Sequence, residues 1–211
     1  MEVPHMLVAF VGAPCSGKTT TAARLFADLK ERGLPVEFLT EYARMYIAHK
    51  RHLERSEVGP LEDRDQYAIF STQNKNESIM ADDPTTLVIS DSSAVSALLY
   101  MTDLYIEHQA RLPPSQFGIP NLVEQARVAA ARYDIIFRCS PVRPGIVYDP
   151  NRVHSYEQSV ELDKRIDKVF SLVGIPSSKV YPLFGDTKSR VTEAGAVVMQ
   201  AHLEMVKARI K

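Results

Sequence analysis

Met6-Leu7-Val8-Ala9-Phe10-Val11-Gly12-Ala13-Pro14-Cys15-Ser16-Gly17-Lys18-Thr19-Thr20 begins with an unbroken apolar run and passes through a glycine-bounded turn into helix-compatible residues. An apolar run ended by turn residues predicts a strand buried on both faces. Gly12 to Thr19 fits G-x-x-x-x-G-K-[ST] in full, with a strand expected before it and a helix after it, the context the pattern requires. Such a loop gathers successive backbone N–H groups and a helix N-terminus around an anion. Gly12 and Gly17 let the backbone turn and approach phosphate oxygens with no Cβ in the way.

Outward from that loop the periodicity alternates between strand and helix. Lys18 to Arg32 predicts a helix with Leu25, Leu29 and the alanines on one face, stopped by Gly33 and Pro35. Val36 to Thr40 predicts a strand, Glu41 to about His52 a helix, and Ser56 to Leu61 a loop. Glu62 to Met80 has helical spacing, with Tyr67, Phe70 and Ile79 as its apolar residues. Thr86 to Ser90 predicts a third strand, Ala94 to about Ile106 a helix, Pro113-Pro114 a break, and Asn121 to Arg132 a helix. Asp134 to Arg138 predicts a fourth strand, followed by a Pro-, Gly- and Arg-bearing loop from Ser140 to Ser155. Tyr156 to Leu172 predicts a helix, Lys179 to Leu183 a fifth strand, and Thr187 to Ile210 a final helix. This alternation predicts an α/β fold in three layers, a mostly parallel five-stranded sheet with helices on both faces. Residues 1–211 read as one domain, with 140–155 as a small lid within it. Ligands of such sheets bind at the carboxyl ends of the strands, and the motifs fall there.

Composition narrows the classes. The chain has 211 residues, 45% hydrophobic and 24% charged, as expected of a soluble globular domain. A net charge of -1 supplies no global field for nucleic acid or anionic lipid. Cys15 and Cys139 make neither a disulfide framework nor a four-thiolate zinc site, and the 6 histidines lack metal-ligand spacing. Cys15, at a helix N-terminus where thiols acidify, reads as a variable loop position rather than a redox centre. No apolar run approaches the ~20 residues of a membrane span, and no signal-peptide layout opens the chain. The expected compartment is the cytoplasm, of a cell or of a phage-infected host, with no membrane partner. The oligomeric state is left open.

The loop motif defines a nucleotide site. Gly12, Ala13, Pro14, Cys15, Ser16, Gly17, Lys18, Thr19 and Thr20 are its candidate residues, with ATP and Mg²⁺ as expected cofactors. Lys18 is placed to reach the outer phosphates and the Thr19 hydroxyl to ligate Mg²⁺. Asp91 ends an apolar strand, the position that orients Mg²⁺, although an Asp there also makes a good helix cap. The residues after it are Ser92 and Ser93, with no glutamate to activate water, which favours transfer to an acceptor over hydrolysis. Asn74-Lys75-Asn76-Glu77 faintly matches a guanine-reading motif, but it precedes the Asp91 strand and falls within a helix, so a GTPase is set aside. Thr40-Glu41-Tyr42-Ala43-Arg44 follows strand two, where Glu41 can bind hydroxyls or act as general base and Arg44 can hold substrate. The same carboxylate also suits a helix start. The 140–155 loop carries Arg143 and Tyr148-Asp149-Pro150-Asn151-Arg152. Arg152 is the candidate for contacting the transferring phosphoryl group. His49-Lys50-Arg51-His52-Leu53-Glu54-Arg55 is a basic cluster, read as a solvated helix end or as a nucleic-acid patch. Tyr67, Tyr100 and Tyr105 either stack on an acceptor ring or pack on helix faces.

The order of these elements (the loop, Glu41-Tyr42-Ala43-Arg44, the strand ending in Asp91, Asp149-x-x-Arg152, and Gly185 to Arg190) resembles the kinase-like P-loop family typified by bacterial nicotinamide riboside kinase domains. That family's lid often reads Asp-Gly-x-Arg, where this chain has Asp149-Pro150-Asn151-Arg152. The resemblance implies γ-phosphoryl transfer from ATP to the hydroxyl of a small nucleoside-like acceptor, with nicotinamide riboside first. It implies roles for Lys18, Thr19, Asp91, Glu41, Arg44 and Arg152, with Asp91 or Glu41 as the base. Gln73 lies where nucleoside kinases often read the base with an amide, or else faces solvent. Adenine would pack near Arg152 or Gly185-Asp186-Thr187. Similar phage proteins act on nucleosides, nucleotides or hydroxymethyluracil in DNA, so a nucleotide kinase or a DNA-base kinase is the alternative enzyme. An ATP-dependent switch or regulator is the alternative outside enzymes.

Overall fold

β1 (Met6–Val11) is buried at every residue because its side chains alternate between two helical layers. Leu7, Ala9 and Val11 join one core, while Met6, Val8 and Phe10 join the other. The structure, a computed structural model, describes residues 5–54, 61–83, 86–101, 119–141 and 155–210.

β1 pairs in parallel with β3 (Leu87–Ser90) on one side and β4 (Ile135–Cys139) on the other. β2 (Val36–Leu39) and β5 (Val180–Leu183) complete the sheet, in the order β2-β3-β1-β4-β5 with every pairing parallel. The crossover helices cover both faces, as parallel strands demand. α1 (Lys18–Glu31) and α6 (Thr187–Ile210) cover one, packing Leu25 and Leu29 with Ala194 and Val198. α3 (Asp63–Ala81), a 3-10 helix (Ala94–Tyr100), α4 (Ile119–Ala131) and α5 (Tyr156–Val173) cover the other, through Phe70, Leu98, Leu122 and Ile166. α2 (Tyr42–Glu54) lies outside both cores, against α3, and none of its described residues is fully buried. No helix among the described residues is long and apolar enough to cross a membrane.

The predicted elements are present, with three departures. Tyr67 and Ile79 were expected to mark the apolar face of α3, yet they are 40% and 57% exposed. The inner face of α3 instead carries Gln66, Ile69, Phe70, Gln73 and Glu77, so polar residues occupy positions where periodicity looks for apolar ones. Gln73 consequently does not face solvent. The helix expected over Ala94 to Ile106 is a 3-10 helix as far as Tyr100, buried at every residue but the last, and 102–106 lie outside the described residues. It has no solvent face to give a 3.6-residue signal. Most of the 140–155 lid, with Arg143, Tyr148, Asp149 and Arg152, also lies outside the described residues, as does Tyr105.

Candidate active site

The loop after β1 is built by contact as much as by sequence. A Cβ on Gly12 would meet the Cys139 carbonyl oxygen and Ser16 Oγ, both at 2.5 Å, so only glycine passes between β4 and the loop. Cys15 takes φ 63 and Gly17 φ 78, two left-handed turns that fold the chain back on itself. Gly17 then starts α1, accepting from the Thr21 N–H at 3.0 Å. Lys18 Nζ donates to the carbonyls of Gly12 at 2.8 Å and Ala13 at 3.1 Å, which places a largely buried ammonium at the centre of the loop. Ala13 and Ser16 are buried, Pro14 and Cys15 are half-buried, and Thr20 is exposed on the first turn. Burial pushes the Cys139 thiol up to about 11, partly offset by Lys18 and Arg190, so it stays protonated at neutral pH.

Opposite the loop, the Asp91 N–H donates to the Leu39 carbonyl at 2.9 Å and ties the ends of β3 and β2 together. This brings Glu41 beside Asp91. The Asp91 carboxylate is buried and hydrogen-bonded by the Thr19 hydroxyl, while its Oδ1 has no partner. Burial pushes its carboxyl up to about 6, Glu41 adds to this, and Thr19, Lys18 and Arg44 oppose it. Arg44 donates Nε to Glu41 Oε2 at 3.2 Å and Nη2 to Thr19 Oγ1 at 3.0 Å. Lys18, Thr19, Glu41, Arg44 and Asp91 therefore converge in one place. Asp91 is not a helix cap, since the following 3-10 helix starts from Ser93. A buried, orphaned carboxylate oxygen beside a threonine hydroxyl and a second carboxylate is a donor set for a hard dication. Among the described residues no three His, Cys, Asp or Glu side chains cluster into a metal cage, so a cation here would complete its shell with phosphate oxygens and water.

Gln73 is buried and its carboxamide is committed: Oε1 accepts from the Tyr42 N–H at 3.0 Å, and Nε2 donates to Glu77 Oε1 at 3.2 Å and Ser90 Oγ at 3.3 Å. It also borders a narrow slot next to Glu41, lined by Gln66, Ser92, Ser93 and Tyr100. The basic cluster on α2 is partly neutralised, because Lys50 Nζ pairs with Asp65 Oδ2 at 2.8 Å. Asn74 to Glu77 lies within α3 rather than in a loop after a strand.

Two residues go unread from sequence. Arg190, in α6, is buried and donates to the carbonyls of Ser16 and, at 3.0 Å, Ser140, which clamps the loop to the end of β4. Glu77 is fully buried at the hub of a polar network. Neither takes its observed role from a motif, and their partners are distant in sequence. The one signal was Arg190 at the end of the Gly185 segment.

The model of a family described as an AAA domain matches residues 7–190, and the chain belongs to that family. Among solved structures it is similar to the NadR protein in complex with NR, at 20% identity and a TM-score of 0.60. That match covers 86% of this chain and 46% of the NadR chain, so the chain spans about half of NadR's length. It is also similar to thymidylate kinase from Ehrlichia chaffeensis, at 13% identity and a TM-score of 0.54, over 97% of this chain and 98% of that one. At these identities the likeness establishes the fold alone. No curated protein matches the sequence.

Proposed function

We propose that this chain is an ATP- and Mg²⁺-dependent kinase that phosphorylates a hydroxyl of a small nucleoside-like acceptor, with nicotinamide riboside the first to try. The observation that carries this reading is the convergence of Lys18, Thr19, Arg44, Glu41 and Asp91 at the mouth of the phosphate loop. Two cations face the place where phosphate charge collects, and two carboxylates face the place where an acceptor hydroxyl must lose its proton. The likeness to a NadR complex with NR and to a thymidylate kinase supports the acceptor class.

The loop amides and Lys18 hold the β- and γ-phosphates. Thr19 and Asp91 would hold Mg²⁺, which would offset the negative charge of the phosphates. Glu41 or Asp91 accepts the hydroxyl proton as the new oxygen–phosphorus bond forms and the bond to the β-phosphate oxygen breaks. Arg44 steadies Glu41 and the first turn of α1. The slot beside Glu41 is where the acceptor's ring edge would enter, with the Gln66 carboxamide in its wall. Gln73 acts by holding the start of α2. The lid role expected of Arg152 and residues 140–155 falls mostly outside the described residues. Such catalysis is chiefly positioning and charge stabilisation.

The test is transfer from γ-labelled ATP with Mg²⁺ to nicotinamide riboside, deoxynucleosides, nucleoside monophosphates and hydroxymethyluracil-containing DNA, beside an acceptor-free control. Label on nicotinamide riboside or a nucleoside is expected. Label on a monophosphate makes the chain a nucleotide kinase, and label on DNA makes it a DNA-base kinase. Bound ATP with no labelled acceptor points to the ATP-dependent switch.

A further inference from the structure

We propose that Glu77 is a positioning residue, a buried carboxylate whose hydrogen bonds set the two acidic groups of the site, Glu41 and Asp91, relative to each other. The inference rests on the phosphoryl-transfer reading for its catalytic consequence, though not for its geometry.

Glu77 is completely shielded from solvent. Its Oε1 accepts from Gln73 Nε2 at 3.2 Å, Ser90 Oγ at 3.3 Å and the Ala94 N–H at 3.2 Å. Its Oε2 accepts from the Tyr133 hydroxyl at 2.6 Å, and that hydroxyl in turn accepts from the Ala94 N–H at 2.9 Å. Four donors therefore converge on two oxygens, an arrangement that suits an ionised carboxylate. Of the four, only the Ser90 and Tyr133 hydroxyls can turn round to accept a proton from a neutral carboxyl, because Gln73 Nε2 and the Ala94 amide only donate.

The network ends at the site on two sides. Through Gln73 it reaches the N–H of Tyr42, the residue after Glu41. Through Ser90 it reaches the residue before Asp91, and through Ala94 it closes the turn that follows Asp91. One buried carboxylate thus braces both edges of the space where the acceptor hydroxyl would sit. The phosphate loop hangs on other contacts, the Arg190 clamp and the Gly12 packing against Cys139. Loss of Glu77 should therefore disturb acceptor alignment far more than ATP binding, which keeps the loop amides and Lys18. Burial pushes the Glu77 carboxyl up to about 7, against its four donors and the nearby Arg132 guanidinium. Arg132 and Tyr133 are the ionisable groups facing it from the α4–β4 side, while Gln73, Ser90 and Ala94 face it as neutral donors. The braced state is the ionised one, present above pH 7 and lost below it.

The experiment compares the full chain with Glu77→Gln and Tyr133→Phe, each checked for folding by its thermal midpoint. Amide hydrogen exchange at Tyr42 is expected to speed up about tenfold in Glu77→Gln, the signature of a weakened local brace. For whichever acceptor the wild type labels, kcat is expected to fall about a hundredfold, as for displacement of reacting groups by about 1 Å. KM for ATP should stay within about threefold, because the loop is untouched. Wild-type kcat should fall as the pH drops through about 7, and in Glu77→Gln that fall should move to lower pH. Should Glu77→Gln not fold, Tyr133→Phe decides, with the same changes at smaller size. Unchanged exchange at Tyr42, or an unchanged kcat, overturns the proposal. A wild type that labels no acceptor overturns the kinase reading instead, and the Tyr42 exchange still decides the brace.

Discussion

α1 and α2 are almost the same length, 14 and 13 residues, and both bring groups to the site, yet they are held by opposite means. α1 buries Ala22, Leu25 and Leu29 under the sheet. Each such leucine contributes about 1.5–3 kcal/mol by leaving water. α2 buries nothing fully and is hung on polar bonds to α3. Tyr46 donates to Asp65 Oδ1 at 2.7 Å, Lys50 donates to Asp65 Oδ2 at 2.8 Å, and the Tyr42 amide donates to Gln73. Bonds of this kind are worth about 0.5–1.5 kcal/mol each, more where a charge takes part. The helix that follows the phosphate loop is therefore held by apolar packing, and the helix that carries Arg44 by polar bonds to α3. On the proposed reading, the first serves the nucleotide and the second the acceptor.

The comparison can be broken in several places. Lys18→Ala should cost about a thousandfold in transfer, on the scale of losing a preorganised charge-stabilising donor, with far-UV circular dichroism unchanged. Unchanged turnover would remove the site from the loop. Leu25→Ala should destabilise by about 2–5 kcal/mol in urea unfolding, and a loss below ~1 kcal/mol would mean that burial is not what holds α1. Asp65→Ala should cost about 1–3 kcal/mol, read as faster exchange along α2 and a higher acceptor KM with ATP KM unchanged.

Asp65 and Glu77 also give pH effects of opposite sign. For Asp65, burial works upward, but the bonds from Lys50, Tyr46 and the Glu62 amide win and hold its carboxyl below the usual range. Its contribution is present above the ordinary carboxylate range and is lost as the pH falls through its lowered value. Acid should therefore loosen α2 before the sheet unfolds. The Glu77 carboxyl is raised from 4.5 to about 7, so the folded state holds a proton that the unfolded chain has released. That contribution is full below 4.5 and declines as the pH rises to about 7. Glu77→Gln should flatten this slope in denaturation measured across the interval. Met45→Ala, on the outer face of α2 at 62% exposure, should change stability by no more than ~0.5 kcal/mol. A larger effect would show α2 to be packed rather than hung.

Much of the fold was legible in advance. All five strands and both ends of the phosphate loop follow from apolar runs and glycine placement over spans of about ten residues. Lys18, Thr19, Asp91, Glu41 and Arg44 were each identified from their position after a strand, and the structure brings them together. The face of α3 was misread because Gln66, Gln73 and Glu77 occupy it. A pattern search for apolar residues then selects Tyr67 and Ile79, which point outward. From sequence Gln73 reads as an amide for a base or as a solvent-facing residue, and the structure buries it and commits its amide to Tyr42, Glu77 and Ser90.

By itself the sequence determined the strand–helix alternation, the anion-binding loop and the residue types at its rim, because those signals are local and repeat at the periods of 2 and 3.6 residues. The tertiary structure alone decided that Glu77, 56 residues before Tyr133 and 13 before Ser90, braces the site. It alone decided that Arg190, 174 residues from Ser16, clamps the loop. A buried charge takes its role from the donors the fold delivers to it, and their arrival from distant parts of the chain leaves no periodic trace along the sequence.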